Sequence, residues 1–509
     1  MVAEVSKEAA LQRGLRIGKQ HADELVTLYE SHAKSETLRG NDLLLINYAH
    51  TIMLCEQNLI GREDTRQILT TIKSIENVGV EKAISIDPHV GDLTTHMEAY
   101  IIKATGENVG GRIHTGRSRN DLYATLTKML IRRAALKIVT ALIELENTLL
   151  RMASQHLETV LPGYTHNSQH AQPVTLGHFL VGNFDVFLRD ITRLENLWPR
   201  LNSCPMGGAA LAGTGFPLNR ARVAELLGFD SVHEHTYDAT SSRDFLLEYL
   251  SVLSIIASDM GRITQDLLLW NTFEFGMISL ADEFTSFSSI MPQKKNPVAL
   301  ESIRSFGVTI AGKFFNAFGM LKDEGWGNSR SVTILDDDSA ETGRLLGNMI
   351  LLLRGILETT EVRKERMYEL AKQGFSTATE LADTLVREYR LSFRTAHEVV
   401  GLVVKQAIES GRNSDEITSS MVEAAMKESL GKTIRIESSF VDQALDPAKN
   451  VRIRNLPGGP APEEVTRMVG QRRLILDEKR DSLSKRQQRI ENSYRELRNR
   501  VNDILGEEV

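Results

Sequence analysis

Only two cysteines, Cys55 and Cys204, occur in 509 residues, too few and too isolated for a disulfide framework or a zinc site. A reducing compartment fits that usage. Positive charge is not in excess either: 60 Lys and Arg face 67 Asp and Glu, leaving a net charge of -7. A nucleic-acid-binding chain carries a basic surplus, so nucleic acid is not an expected partner. Long apolar runs are missing as well. The longest aliphatic stretch, Met349-Ile350-Leu351-Leu352-Leu353, is stopped by Arg354, far short of a membrane span. The first residues, Met1-Val2-Ala3-Glu4-Val5-Ser6-Lys7-Glu8, lack the apolar segment of a signal peptide, so a cytoplasmic location and no membrane partner are expected.

Proline is scarce, with 12 residues in all and none between Pro297 and Pro447. Because proline removes a helical hydrogen bond and clashes with the preceding turn, its absence leaves room for long helices. From Asp121 to Leu161 there is neither glycine nor proline, and Leu130, Ala134, Leu142, Leu145 and Leu149 recur at helical intervals. That run predicts one very long helix. Glycine- and proline-free runs from Asp230 to Met260 and from Ile356 to Gln373 predict two more, and no segment sustains the alternation of a sheet. The fold class is therefore all-α with a central bundle of long helices. A chain of this length exceeds the usual single core, and composition breaks divide it into 1–117, 118–374 and 375–509. In the last part Leu476, Leu483, Ile490, Leu497 and Ile504 recur every seven residues. Lys479, Arg480, Arg486 and Gln487 fill the second core position poorly, so the stripe reads as an amphipathic helix packing on its own or a neighbouring subunit.

What is present is concentrated in a few polar motifs. Ser288-Ser289-Ile290-Met291-Pro292-Gln293-Lys294-Lys295-Asn296-Pro297 lacks helical apolar spacing and offers serine hydroxyls beside cation and amide donors. It can supply a basic oxygen and two anion-binding groups. His114-Thr115-Gly116-Arg117-Ser118-Arg119-Asn120-Asp121 sits where a glycine-rich stretch turns into the long helix, a place suited to a small dianion. The glycines at 106–111 and 207–215 fail the phosphate-loop and dinucleotide patterns, and the latter read as tight turns. Thr165 and His166 stand together in a polar run. His166 could orient a substrate group or move a proton. His166 and His170 have the spacing of a metal pair, but no glutamate follows the first and no third ligand is apparent, so no metal is expected.

The 288–297 run resembles the S-S-x-M-P-x-K-x-N signature of the fumarase/aspartase superfamily. Segments 114–121, 163–173, 238–244, 375–383 and 457–462 are similar, in order, to argininosuccinate lyase motifs. The resemblance covers roughly residues 35 to 470. It implies three helical domains in a homotetramer with a twenty-helix core, active sites shared between subunits, no cofactor, and release of fumarate from an N-substituted aspartate. By the same resemblance Ser288 is the base, with Ser289 as the alternative hydroxyl, and Lys294 and Asn296 hold the developing charge. Ser118, Arg119, Asn120 and Thr165 grip the fumarate half. His166, paired with Glu301, assists the leaving nitrogen, while Met291, Asp92 and Arg243 complete the substrate-binding set. A helical tetramer without activity, as in a lens protein built on this framework, is the reading of another class.

Three departures from the family pattern bear on the amine half of the pocket. Asn47 stands where serine is usual, Thr94 where histidine is usual, and Gly325-Trp326-Gly327-Asn328-Ser329-Arg330 lacks the expected tyrosine, glutamine and lysine. A lyase of the ethylenediamine-disuccinate type is therefore the alternative to argininosuccinate cleavage. Asp336-Asp337-Asp338 could face a cationic amine or cap the next helix.

Overall fold

The computed structural model describes residues 21–27, 39–327 and 329–507. The leader reading of residues 1–8 and Asn328 lie outside them. The protein is mostly helical. Its longer helices are α1 (Gly40–Glu56), α2 (Arg62–Val78), α3 (Leu93–Thr105), α4 (Arg119–Gln155), α5 (Leu176–Leu201), α6 (Asp244–Trp270), α7 (Val298–Leu321), α8 (Arg330–Thr359), α9 (Lys364–Lys372), α10 (Ala378–Tyr389), α11 (Phe393–Glu409), α12 (Ser419–Leu430) and α13 (Pro462–Leu505).

Helix α4 starts where Ser118 and Asp121 form a capping box and runs for 37 residues. Leu142, Leu145 and Leu149 on one of its faces are fully buried. Each such side chain contributes roughly 1.5–3 kcal/mol by leaving water. The main apolar cluster joins α4 to α8 with the first half of α13; a second joins α1, α2, α3 and the end of α13; a third joins α10, α11 and α12. The heptad stripe of α13 packs on its own chain: Leu476, Leu483 and Leu497 are buried, and Arg472 grips Asp185 of α5 through two hydrogen bonds of 2.8 and 2.6 Å.

The bundle helices alternate in direction. Near one end Lys128 Nζ donates to the Arg200 carbonyl at 2.9 Å. Toward the other Thr148 Oγ1 donates to Glu358 at 2.9 Å, and the rings of Phe179 and Trp270 lie 4.8 Å apart. From Arg119 to Thr148 the helical rise amounts to about 40 Å. The bundle therefore has a Ser118 end and a far end.

Several expectations are corrected. The chain is not wholly free of strands: β1 (Val160–Thr165) and β2 (Gln169–Thr175) form an antiparallel hairpin after α4, and β3 (Ser286–Phe287) pairs with β4 (Lys295–Asn296). The run from Asp230 to Met260 is not one helix; Ser231–Val232 is extended, a short helix spans Thr236–Ser241, and α6 begins only at Asp244. Likewise α8 ends at Thr359, and Glu361–Val362 pairs with Ile278–Ser279 before α9. Absence of glycine and proline permits a helix; it does not make one continuous when buried turns compete.

Asp336, Asp337 and Asp338 do not cap α8, whose N-cap is Ser329. They lie in its second and third turns. Thr127 Oγ1 donates to Asp336 at 2.5 Å, Arg39 pairs with Asp337, and Lys313 holds Asp338 at 3.0 Å.

Candidate active site

The Ser118 end is built around one carboxylate. Asp121 Oδ1 accepts from the Ser118 amide at 2.9 Å, and Oδ2 accepts from the amides of Gly207 and Ala209 at 2.9 and 3.0 Å. Burial pushes its pKa up to about 6, against the pull of those amides and of Arg117. Asn120 Nδ2 donates to the Ala210 carbonyl at 2.9 Å, which ties the glycine-rich loop after Cys204 to the start of α4. That loop is what the glycine pairs at 207–215 encode.

Asp92 caps α3 and accepts from the Thr95 amide at 2.8 Å and from the Thr94 and Thr95 hydroxyls at 2.7 Å each. Arg119 reaches it at 3.2 Å. Burial alone would raise its pKa, but Arg119 and these donors outweigh it and hold Asp92 below the usual carboxylate range. The Arg119 side chain is 62% exposed, so its guanidinium keeps donors open to solvent beyond that pair.

Behind these groups lies a cavity of about 430 Å³ lined by Ser118, Arg119, Arg117, Asn47, Thr94 and Thr95, among others. Two of the three departures, Asn47 and Thr94, thus share a wall with two of the expected substrate contacts. Arg117 donates to Asn47 Oδ1 at 2.7 Å. Burial lowers its pKa to about 10, opposed by Glu98 and Asp121, so it stays charged at neutral pH. Arg117 and Asn47 both stand in segments already marked by the sequence, Arg117 in the 114–121 motif and Asn47 among the departures on the amine side.

The far end carries the other motifs. Residues 288–294 form the loop of the hairpin β3–β4. Ser288 Oγ accepts from the amides of Ile290 and Met291 at 3.3 and 3.0 Å. Met291 and Lys294 are exposed, and Asn296 lies in β4 opposite Ser286. Thr165 and His166 form the exposed start of the turn between β1 and β2, where His166, Asn167 and Ser168 all have positive φ of 45, 56 and 74°. Three successive non-glycine residues there are strained, a condition that clusters at functional sites. Tyr164 packs on Phe275, with ring centroids 5.9 Å apart, which fixes the turn at the far end. His170 contacts the Gln373 carbonyl at 3.4 Å and the edge of Tyr164.

Glu301 sits in the exposed first turn of α7 and lines a groove of about 760 Å³ with Arg304 and Ser254. Among the described residues no hydrogen bond or ion pair joins it to His166. Arg243 stands apart from all of these. It is 3% exposed and donates to Asp336 at 3.3 Å and to the Ser242 carbonyl at 2.8 Å, locking the start of α6 to α8. Within one chain, then, Ser118, Arg119, Asn120 and Asp92 come together at one end. Thr165, His166, Ser288, Lys294 and Asn296 lie about 40 Å away. Among the described residues no group of three His, Cys, Asp or Glu side chains is placed to hold a metal ion, and no helix is long and apolar enough to cross a membrane.

Comparison with known proteins decides the family. Residues 19–312 match the lyase family and residues 375–452 the argininosuccinate lyase C-terminal family. The chain is 39% identical over 97% of its length to argininosuccinate lyase from Methanocaldococcus jannaschii, covering 98% of that protein. It belongs to the argininosuccinate lyase branch of the fumarate lyase superfamily. It is thus an argininosuccinate lyase-like carbon–nitrogen lyase. A second relative, argininosuccinate lyase 1 from Shouchella clausii, is 40% identical over 89% of this chain and 90% of its own. Among solved structures, an EDDS lyase variant with bound fumarate is 30% identical, covers 96% of both chains and superposes with a TM-score of 0.83.

Proposed function

We propose that this lyase cleaves a C–N bond of an N-substituted aspartate by β-elimination, releasing fumarate and an amine, and that its site is completed by several copies of the chain. The observation that carries the reading is the division of the motifs between the two ends of one bundle. A site of both sets requires a second chain, packed so that its far end meets the Ser118 end of the first. The exposed row on α7 supports association: Val308 and Phe315 are 75% and 71% exposed, and Phe306 and Phe318 are also open. A single soluble chain rarely leaves so large an apolar row uncovered. A homotetramer with a twenty-helix core satisfies both demands, and a cytoplasmic enzyme needing no cofactor is the matching setting.

In this scheme Ser288, as alkoxide, removes the proton from the carbon beside the substrate carboxylate. The electron pair passes into that carboxylate, giving a dianionic aci-carboxylate that Lys294 and Asn296 hold. Fixed donors of this kind usually supply the largest catalytic term. As the pair returns to form the double bond, the C–N bond breaks, and the nitrogen takes a proton with the help of His166 and a partner chain's copy of Glu301. Ser118, Arg119, Asn120 and Thr165 grip the carboxylates, with Asp92 orienting Arg119. Addition of an amine to fumarate uses the same groups in reverse.

Argininosuccinate is the first substrate to try, and with it a role in arginine biosynthesis. The second reading, an aminopolycarboxylate of the ethylenediamine-disuccinate type, is favoured by Asn47 and Thr94 in the cavity beside Arg119. The test is fumarate absorbance on incubation with each compound. Release from argininosuccinate alone supports the first; release from the diamine compound alone supports the second. Release from neither, with Ser288→Ala indistinguishable, would leave only the non-catalytic tetramer.

A further inference from the structure

A second cavity lies away from the candidate active site, between α4 and α8. Its volume is about 570 Å³, within the range of small-molecule sites. It borders the stretch of α4 from Leu130 to Ala141, which by helical rise is about 17 to 33 Å from Arg119. None of the residues assigned to the reaction lines it.

Three observations give the cavity a chemistry. On its wall Arg39 is 2% exposed, and while its Nη2 pairs with Asp337, its Nε and Nη1 are buried and have no hydrogen-bond partner among the described residues. A buried guanidinium with unfilled donors is costly unless something accepts from them. At the rim Arg133 is neutralised by Asp42 and Arg344 by Glu341, but Lys137 has no partner among the described residues. The uncompensated charge is therefore positive. Asp338, held by Lys313, and Asn348 also line the cavity, and the apolar part of its wall is formed by Leu130, Ile138 and Leu351.

The helical glycines of α8 add a fourth. A glycine inside a helix destabilises it relative to alanine, so its presence calls for a reason. At Gly343 the reason is steric, since a Cβ would strike the Tyr249 hydroxyl; at Gly347, also on the cavity wall, a Cβ would meet nothing within 4 Å. Packing within this chain does not require Gly347, and its effect is to leave the cavity open.

We infer that this cavity is a binding site for a small organic carboxylate with a compact apolar body, its charge facing Arg39 and Lys137. The site is separate from the reacting centre.

The probe is benzoate, with benzamide as the neutral control, titrated calorimetrically into the intact protein. Saturable benzoate binding is expected, weakened about tenfold or more by Lys137→Ala and again by Gly347→Leu, which fills the open space. Both changes leave the buried Arg39–Asp337 pair intact, and circular dichroism and the oligomeric state should match the wild type. No saturable binding by the wild type overturns the proposal, whether the cavity is empty or filled by another copy of the chain. So does equal binding of benzamide, or unchanged affinity in both variants.

Discussion

The Ser118 end and the Ser288 loop, which the proposed mechanism makes the two halves of one chemistry, are held in opposite ways. At the Ser118 end the carboxylates and the amide are held: Asp121 accepts from three backbone amides, Asp92 accepts from two threonines and Arg119, and Asn120 is tied to the Ala210 carbonyl. In the Ser288 loop the serine hydroxyl accepts two local amides, and the Lys294 side chain stands exposed. Binding donors gain from being fixed before the ligand arrives, since no reorganisation is then needed when charge develops. A base that must shed water and meet the substrate gains from an open hairpin that can close. Substitutions at the two places should accordingly separate into effects on rate and effects on stability.

The largest expected effect is on rate. Ser288→Ala should lower kcat by about a thousandfold, within the usual span for a general base, while the urea midpoint stays unchanged. A large loss of stability would break the comparison. Next, Asp121→Ala should destabilise the protein by about 2–3 kcal/mol, because the amides of Gly207 and Ala209 lose their acceptor inside the protein. Urea unfolding measures this, and KM should rise with it as the loop loosens.

The last third of α4, toward the far end, offers a test by pH. Glu146 is fully buried, neither oxygen has a hydrogen-bond partner among the described residues, and burial, then Asp185 and Asp190, raises its pKa to about 9. A carboxyl whose folded pKa lies above its unfolded value binds its proton more tightly when folded. Stability should therefore fall as pH rises from about 5 toward 9. Glu146→Gln should flatten that fall, seen in urea midpoints across the range, and an unchanged slope would assign it to other groups. The smallest effect belongs to Asp92→Asn. It should raise KM by about fivefold with kcat nearly constant, since Arg119 loses a charged partner while the other grips remain.

What was legible in the sequence follows from how local the signal was. The start of α4 could be read because Ser118 and Asp121 encode their own cap, and the Ser288 motif because its residues act within one hairpin. The β1–β2 hairpin escaped notice: Pro162, Gly163 and Pro173 give its strands no clean alternation, and a bulge shifts the register between Pro162 and Tyr164. The burial of Arg243 and Asp336 and the pairing of Asp337 and Asp338 were not legible either. Their partners Thr127, Arg39 and Lys313 come from other elements and are set by packing rather than by local sequence.

The central claim is that the two ends meet only between chains. It is tested by unfolding Ser288→Ala and Arg119→Ala proteins together and refolding the mixture. If Ser288 and Arg119 of one site come from different copies, random reassembly of a tetramer should restore about a quarter of wild-type fumarate release, although each variant alone is nearly inactive. No recovery, in a mixture shown to contain hybrid oligomers, would contradict the account and place both residues of each site in one chain.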